Sequence, residues 1–210
     1  MKAWHGSAHL HNNFSMEEIQ TGEGALAFGW GLYFAEEPDV AKSYRDSLAG
    51  SNNPGCLYEV ELAIDEVDLL NWDKPIAKQS EKVQKAIQKA IEGHADQVQK
   101  DMMEYFAVTH RAKCVGGSFY RTLTDMFGNG LTTDGREEAS RFLLSIGIPG
   151  IQYLDAFSRK GAGFRPPEAL SGRKTRNFVI FDESLVEIRG RYQENEIPGE
   201  QEEDSGFRPR

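Results

Sequence analysis

A histidine, a glycine and a serine stand together at His5-Gly6-Ser7, and Gly29-Trp30-Gly31-Leu32-Tyr33-Phe34-Ala35 follows after a glycine-rich stretch. An imidazole and a hydroxyl offer side-chain hydrogen bonds. A residue without Cβ lets backbone amides approach a flat ligand closely. The second run reads as a glycine turn feeding an aromatic strand with Tyr33 at its centre. Tyr44 comes 11 residues after Tyr33, at the far end of the helix-like Pro38-Asp39-Val40-Ala41-Lys42-Ser43. Two tyrosines, a histidine and close-approach glycines suit a planar ring carrying an amide and a ribose.

In this order, His5-Gly6-Ser7, Gly29 to Ala35 and Ala41-Lys42-Ser43-Tyr44 closely resemble the NAD site of the diphtheria-toxin and poly(ADP-ribose) polymerase class of ADP-ribosyltransferases. The chain is most similar to versions embedded in large multidomain proteins of phages and other mobile elements. The resemblance implies a split, two-sheet α+β fold with an NAD cleft between the sheets. It implies that His5 hydrogen-bonds the adenosine ribose and that Gly6 holds the nicotinamide carboxamide through its backbone. Ser7 stands as a supporting hydroxyl. Tyr33 and Tyr44 bracket the nicotinamide ring, with Phe34 and Ala35 continuing the ligand-binding strand. Ala41 stands where some members carry a serine that contacts the carboxamide.

The class also has a late strand that usually opens on a glutamate, matched here by Arg176-Asn177-Phe178-Val179-Ile180-Phe181-Asp182. Asn177 occupies the place of that glutamate. It keeps a hydrogen bond to the nicotinamide ribose and lacks the charge that favours a cationic, oxocarbenium-like transition state. The implied catalytic set is Asn177, Tyr33 and His5. The implied reaction is transfer of a single ADP-ribose from NAD to a macromolecular acceptor, protein or nucleic acid, with release of nicotinamide and no metal. An NAD-binding module without turnover and an NAD glycohydrolase remain the alternatives. The setting it implies is a toxin, a phage-delivered host modifier or a defence factor.

The chain has 210 residues, 39% of them hydrophobic, with 21 glycines. That is enough for one domain with a substantial core and argues against an all-helical bundle. Cys56 and Cys114 are far apart and lack a CxxC or a histidine at ligand spacing, which points away from a disulfide scaffold or zinc site and towards a reducing compartment. No secretory or membrane-spanning stretch stands out, so the expected location is cytoplasmic. The net charge of −9 argues against a surface built wholly to grip nucleic acid. Much of it is local to a tail carrying Glu194, Glu196, Glu200, Glu202, Glu203 and Asp204. The tail reads as a linker or disordered end. The expected organisation is a domain over 1–190, a tail over 191–210, and tethering to a larger protein.

The elements that must position these residues follow from period and punctuation. Lys2 to His5 reads as a first strand, Leu32–Ala35 as a second, and Leu57 to Leu62 as a half-exposed third. Ser15 and Glu18 resemble a capping box, and Pro38–Leu48 a helix with proline in its first turn. Between about 75 and 127 the period becomes helical, with Val83, Ile87 and Ile91 on one face, so a helical insertion is expected there. Asp134–Ile146 reads as a further helix ended by Gly147. Gly150–Leu154 and Asn177–Phe181 read as late strands, and Ser184 to Ile188 as a last short one. Strands scattered among helices without regular alternation give the α+β class.

Other signals have bland explanations. Gly22-Glu23-Gly24 lacks the Lys-Ser or Lys-Thr of a phosphate loop and reads as a lip over the site. His9 and His11 lack acidic or cysteine partners for a metal. His110 and Cys114 share a helix face without a third orienting group. The stretch from Asp155 to Arg176 carries Arg159, Lys160, Arg173 and Lys174 among glycines and prolines. Those four are candidates for holding the acceptor, against the alternative of a solvated loop.

Overall fold

A computed structural model describes residues 1–19, 26–48, 55–128, 134–155, 158 and 173–193. The strands are β1 (Lys2–Ser7), β2 (Leu32–Ala35), β3 (Cys56–Leu62), β4 (Leu70–Asn71), β5 (Gly150–Leu154), β6 (Arg176–Ile180) and β7 (Val186–Tyr192). The helices are α1 (Pro38–Leu48), α2 (Glu81–Gly93), α3 (Gln97–Glu104), α4 (Gly116–Phe127) and α5 (Arg136–Ser145). A π-helical turn, Tyr105–Thr109, continues α3.

Helix ends are set locally. Pro38 sits in the first turn of α1, where its missing N–H costs nothing. Ser80 accepts from the Val83 N–H at 3.1 Å to start α2, and Asp96 accepts from the Gln99 N–H at 2.8 Å to start α3. Gly147 ends α5 at φ +87°. There the Ile148 N–H reaches the Leu143 carbonyl at 2.9 Å and the Gly147 N–H reaches Leu144 at 3.0 Å, a closure that needs a left-handed residue. Ser15 caps only the single 3-10 turn Met16–Glu18, because Ile19 is already extended.

Among the described residues the strands form one seven-stranded mixed sheet in the order β4-β5-β6-β2-β1-β3-β7. Only β4 and β5 are parallel neighbours. The expected two separate sheets are therefore one α+β sheet with a weak centre. β1 and β2 share a single registered pair, Trp4↔Ala35, while β1 pairs with β3 along its whole length. Beyond Trp4 the strands part, and the His5 side chain bridges to β2 where backbone pairing has stopped. The last strand runs to Tyr192 and pairs with β3 from Leu57↔Tyr192 to Leu62↔Val186. The domain edge placed at 190 thus falls inside β7.

Side chains alternate across the sheet, and three apolar clusters follow. On one face Ala3, Phe34, Tyr58, Val60, Phe178 and Ile180 are buried with Phe14 against them. On the opposite face, α1 covers the β1–β3 half through Trp4, Ala35, Val40, Ala41 and Leu57. The other helices cover the β4–β5–β6 half of that face, with Val83, Ile87, Phe119, Leu123 and Leu143 buried against Ile151, Tyr153 and Val179. The helical stretch expected at 75–127 shares its core with the sheet. A seam runs between α1 and these helices, over β2 and β6.

Candidate functional site

Asn177 lies in that seam. Its register partners are Ala35 on β2 and Tyr153 on β5, so it sits between residues of two different clusters. Its side chain is buried, at 2% exposure. Nδ2 donates to the Tyr153 hydroxyl at 3.3 Å, and Oδ1 has no hydrogen-bond partner among the described residues. A buried acceptor without a partner costs about 1–3 kcal/mol. Native proteins keep such atoms rarely, and the exceptions deserve a ligand, a water or a functional reason.

Three tyrosines surround it. Tyr33, two residues before Ala35, shares its face and meets the Tyr153 ring edge-on at 6.3 Å. The Tyr33 hydroxyl donates to the Gly29 carbonyl at 2.8 Å and accepts from the Phe28 N–H at 3.1 Å. That pair pins the turn before β2, and burial pushes the phenol above its usual range. Phe28 stacks on Tyr153 at 3.8 Å and 8°. Tyr44 reaches the seam from α1 and remains 46% exposed. Burial first and the Asp155 charge second raise its phenol, and the Asn177 side chain at its hydroxyl opposes them. The hydroxyl of Tyr44 as well as its ring therefore faces the site.

His5 lies on the other face. Its ring packs edge-on against Phe14 at 5.0 Å and tilted against Phe34 at 5.8 Å and Tyr58 at 6.3 Å. Nδ1 is 2.8 Å from the Tyr33 carbonyl oxygen. A carbonyl can only accept, so Nδ1 carries the hydrogen and Nε2 is the acceptor. Burial, the largest cause, lowers the His5 pKa to about 4, keeping the ring neutral near neutral pH. Ser7 Oγ is 2.8 Å from His11 Nε2 and accepts from the His9 N–H at 3.0 Å. The Tyr58 hydroxyl accepts from the His11 N–H at 2.6 Å and donates to the His9 carbonyl at 3.2 Å. His9 and His11 thus close a turn.

Gly6 has a structural reason of its own. A Cβ there would meet the Ala41 carbonyl oxygen at 2.0 Å and the Arg45 nitrogen at 2.8 Å, so its bareness lets α1 lie directly on β1. Phe34 and Ala35 are both buried, on opposite faces. The structure therefore groups Tyr33, Tyr44 and Asn177 in the seam. It groups His5 and Ser7 behind it, joined through the His5–Tyr33 hydrogen bond where β1 and β2 part. Tyr153, Phe28 and Asp155 were not read as site residues from the sequence. Tyr153 could have been found by pairing the two late strands, which places it opposite Asn177.

Arg173 and Lys174 are exposed, and Arg173 forms an ion pair with Glu37. Arg159, Lys160, Gly22-Glu23-Gly24 and the acidic tail from Glu194 lie outside the described residues. Among the described residues, no group of three or more His, Cys, Asp or Glu is placed to hold a metal ion, and no helix is long and apolar enough to cross a membrane. Comparison with known protein families, curated proteins and solved structures finds no match for this chain.

Proposed function

We propose that the chain is an NAD-dependent mono-ADP-ribosyltransferase, moving ADP-ribose to a macromolecular acceptor with release of nicotinamide. The observation that carries this reading is Asn177, a buried amide whose Oδ1 has no partner among the described residues, in a seam walled by Tyr33, Tyr44 and Tyr153. In this reading the nicotinamide ring enters between Tyr33 and Tyr44. A ribose hydroxyl donates to Asn177 Oδ1, and a hydroxyl of the remote ribose donates to His5 Nε2 through the gap beyond Trp4. Ser7 supports that end, and Gly6 contributes backbone groups on the open side of β1. Arg173 and Lys174, with Arg159 and Lys160, are the candidate contacts for the acceptor. A cytoplasmic setting, tethered in a larger protein of a phage or mobile element, belongs to the same reading.

The chemistry asks the protein for orientation and electrostatics. The bond between the ribose and the pyridinium breaks with its electrons leaving on nicotinamide, and positive charge builds on the ribose. Fixed dipoles aimed at that position lower the barrier. An amide at 177 in place of a carboxylate also favours a second reading, a module that binds NAD without turning it over. Incubation with NAD labelled in the adenylate half distinguishes them. Nicotinamide release with label on an acceptor supports transfer. Release with free ADP-ribose alone means a glycohydrolase, and saturable binding without release means the module. Protease and nuclease digestion of the labelled lysate then gives the acceptor class.

A further inference from the structure

Tyr153 is the direct β5 partner of Asn177 on β6, so the two side chains stand on one face of the sheet. Tyr153 is 5% exposed, and its ring is held on two sides. Phe28 stacks on it at 3.8 Å and 8°, and Tyr33 meets it edge-on at 6.3 Å. Phe28 is fixed in turn, with its N–H on the Tyr33 hydroxyl at 3.1 Å and its ring edge-on to Trp72 at 5.1 Å. The turn that carries Phe28 is tied to the helices. Arg136 Nη1 donates to the Leu26 carbonyl at 2.9 Å, and the Trp30 N–H donates to the Tyr120 hydroxyl at 3.1 Å. A ring anchored in this way brings its hydroxyl to Asn177 Nδ2, 3.3 Å away.

The two ends of a side-chain amide have nearly the same shape and opposite hydrogen-bonding character, so packing alone does not choose which end faces the seam. A polar partner must. With Nδ2 on the Tyr153 hydroxyl, the end left over is Oδ1, which has no partner among the described residues. The reverse placement would strand two N–H donors there, and buried donors without partners are rarer than such acceptors. We propose that Tyr153 is the positioning residue of the site, turning the Asn177 amide so that its carbonyl end meets the ligand. The inference rests on the ADP-ribosyl transfer reading above. The carbonyl is the negative end of the amide dipole, and aimed at the ribose it favours the positive charge that builds there as nicotinamide leaves. The N–H end in the same place would oppose that charge. Either end can hydrogen-bond a ribose hydroxyl, which donates as well as accepts, so the orientation acts on kcat more than on binding.

The test uses a side chain whose two ends are alike. Nicotinamide release is measured for the full chain, Tyr153→Phe, Asn177→Asp and the double variant, with NAD Kd by calorimetry and Tm for each. Tyr153→Phe keeps the stacked ring and removes the hydroxyl. It is expected to lower kcat about three- to tenfold, the scale of one hydrogen bond, with Kd within about twofold. In the Asn177→Asp background the same change is expected to leave kcat within about twofold of Asn177→Asp alone, because a carboxylate offers an acceptor whichever way it turns. A Tyr153 that merely packs would lower kcat equally in both backgrounds, and that result overturns the proposal. So does a folded Tyr153→Phe chain with wild-type kcat, or one whose loss lies in Kd alone. If Asn177→Asp has no measurable turnover, Asn177→Ala takes its place with the same expectation. If Tyr153→Phe does not fold, Phe28→Leu decides by loosening the ring: a severalfold lower kcat confined to the Asn177 background supports the proposal, and an equal loss in both, or none, overturns it. A wild type that releases no nicotinamide removes the transferase reading and this inference with it. A wild type that turns over while Tyr153→Phe matches it removes this inference alone.

Discussion

The two faces of the sheet centre treat polar groups differently. Behind it, around His5, the polar atoms other than Nε2, the acceptor assigned to the remote ribose, close on one another: Nδ1 on the Tyr33 carbonyl, Ser7 on His11 and His9, and Tyr58 between His9 and His11. In front, at the seam, Asn177 Oδ1 is buried and has no partner among the described residues. A closed network rigidifies and specifies a fold. An open one holds an acceptor ready for something that arrives. The back face therefore reads as the anchor of the β1–β2 gap and the front as the place where chemistry is done. Substitutions should separate them, stability moving with the back and turnover with the front.

Asn177→Ala should have the largest effect on activity, a kcat lower by about 10²–10³ in a nicotinamide-release assay. Its Tm should stay close to wild type, since the lost Nδ2 bond to Tyr153 is offset by removal of a buried acceptor that costs about 1–3 kcal/mol while unsatisfied. A large fall in Tm with kcat preserved would make Asn177 a packing residue and erase the contrast. Gly6→Ala should do the reverse. The new Cβ would lie 2.0 Å from a helix carbonyl, and overpacking of this kind costs about 1–3 kcal/mol or more, measurable by denaturant unfolding. Wild-type stability with weakened NAD binding would shift Gly6 from fold to ligand.

The His5 ring sharpens the contrast through pH. Its folded pKa of about 4 lies below the ordinary histidine value of 6.5, so the unfolded chain binds the extra proton first as pH falls. Stability contributed by the neutral ring is fully present above about pH 6.5 and is lost progressively as pH drops towards 4, on the order of 1–3 kcal/mol. His5→Ala should flatten that slope, leaving the share of His11, whose pKa burial also lowers. An unchanged slope would place the acid sensitivity elsewhere.

The smallest effects belong to the margins. Tyr44→Phe keeps the ring and removes the hydroxyl beside Asn177, and should weaken NAD binding severalfold, the scale of one hydrogen bond of about 0.5–1.5 kcal/mol. Tyr44→Ala should be worse, and equal affinities for the two would mean the ring does nothing. Ending the chain after Gln193 should leave Tm nearly unchanged. Ending it after Gly190 should lower it, because Arg191 reaches the Asn12 carbonyl at 3.1 Å and the Tyr192 hydroxyl donates to Glu59 at 2.9 Å.

Several elements were legible because their causes are local. Pro38 starts α1, Gly147 stops α5, and the alternating apolar run of Gly150–Leu154 is β5 with the bounds read from the sequence. β4 was missed since Leu70–Asn71 is two residues long and exists only by pairing with β5. The strand expected over Ser184 to Ile188 begins two residues later, because Glu183–Leu185 is a 3-10 turn, and runs on to Tyr192, because pairing with β3 holds the exposed Arg189 and Arg191 and half-buried Gly190 and Tyr192 extended. Of the site, the types at His5, Tyr33, Tyr44 and Asn177 could be chosen from order and spacing. Their division between two faces could not.

By itself the sequence determined the α+β class, the helix ends and the residues worth suspecting, because propensity, capping and alternation act within a few positions of the chain. The tertiary structure alone decided that the sheet is continuous with a weak joint at Trp4↔Ala35. It also decided that Gly6 is bare for the sake of α1, and that Asp155 lies buried beside the seam. Each of these depends on which distant segments meet and which polar atoms are left over once they have. That count of donors and acceptors exists only in the folded molecule.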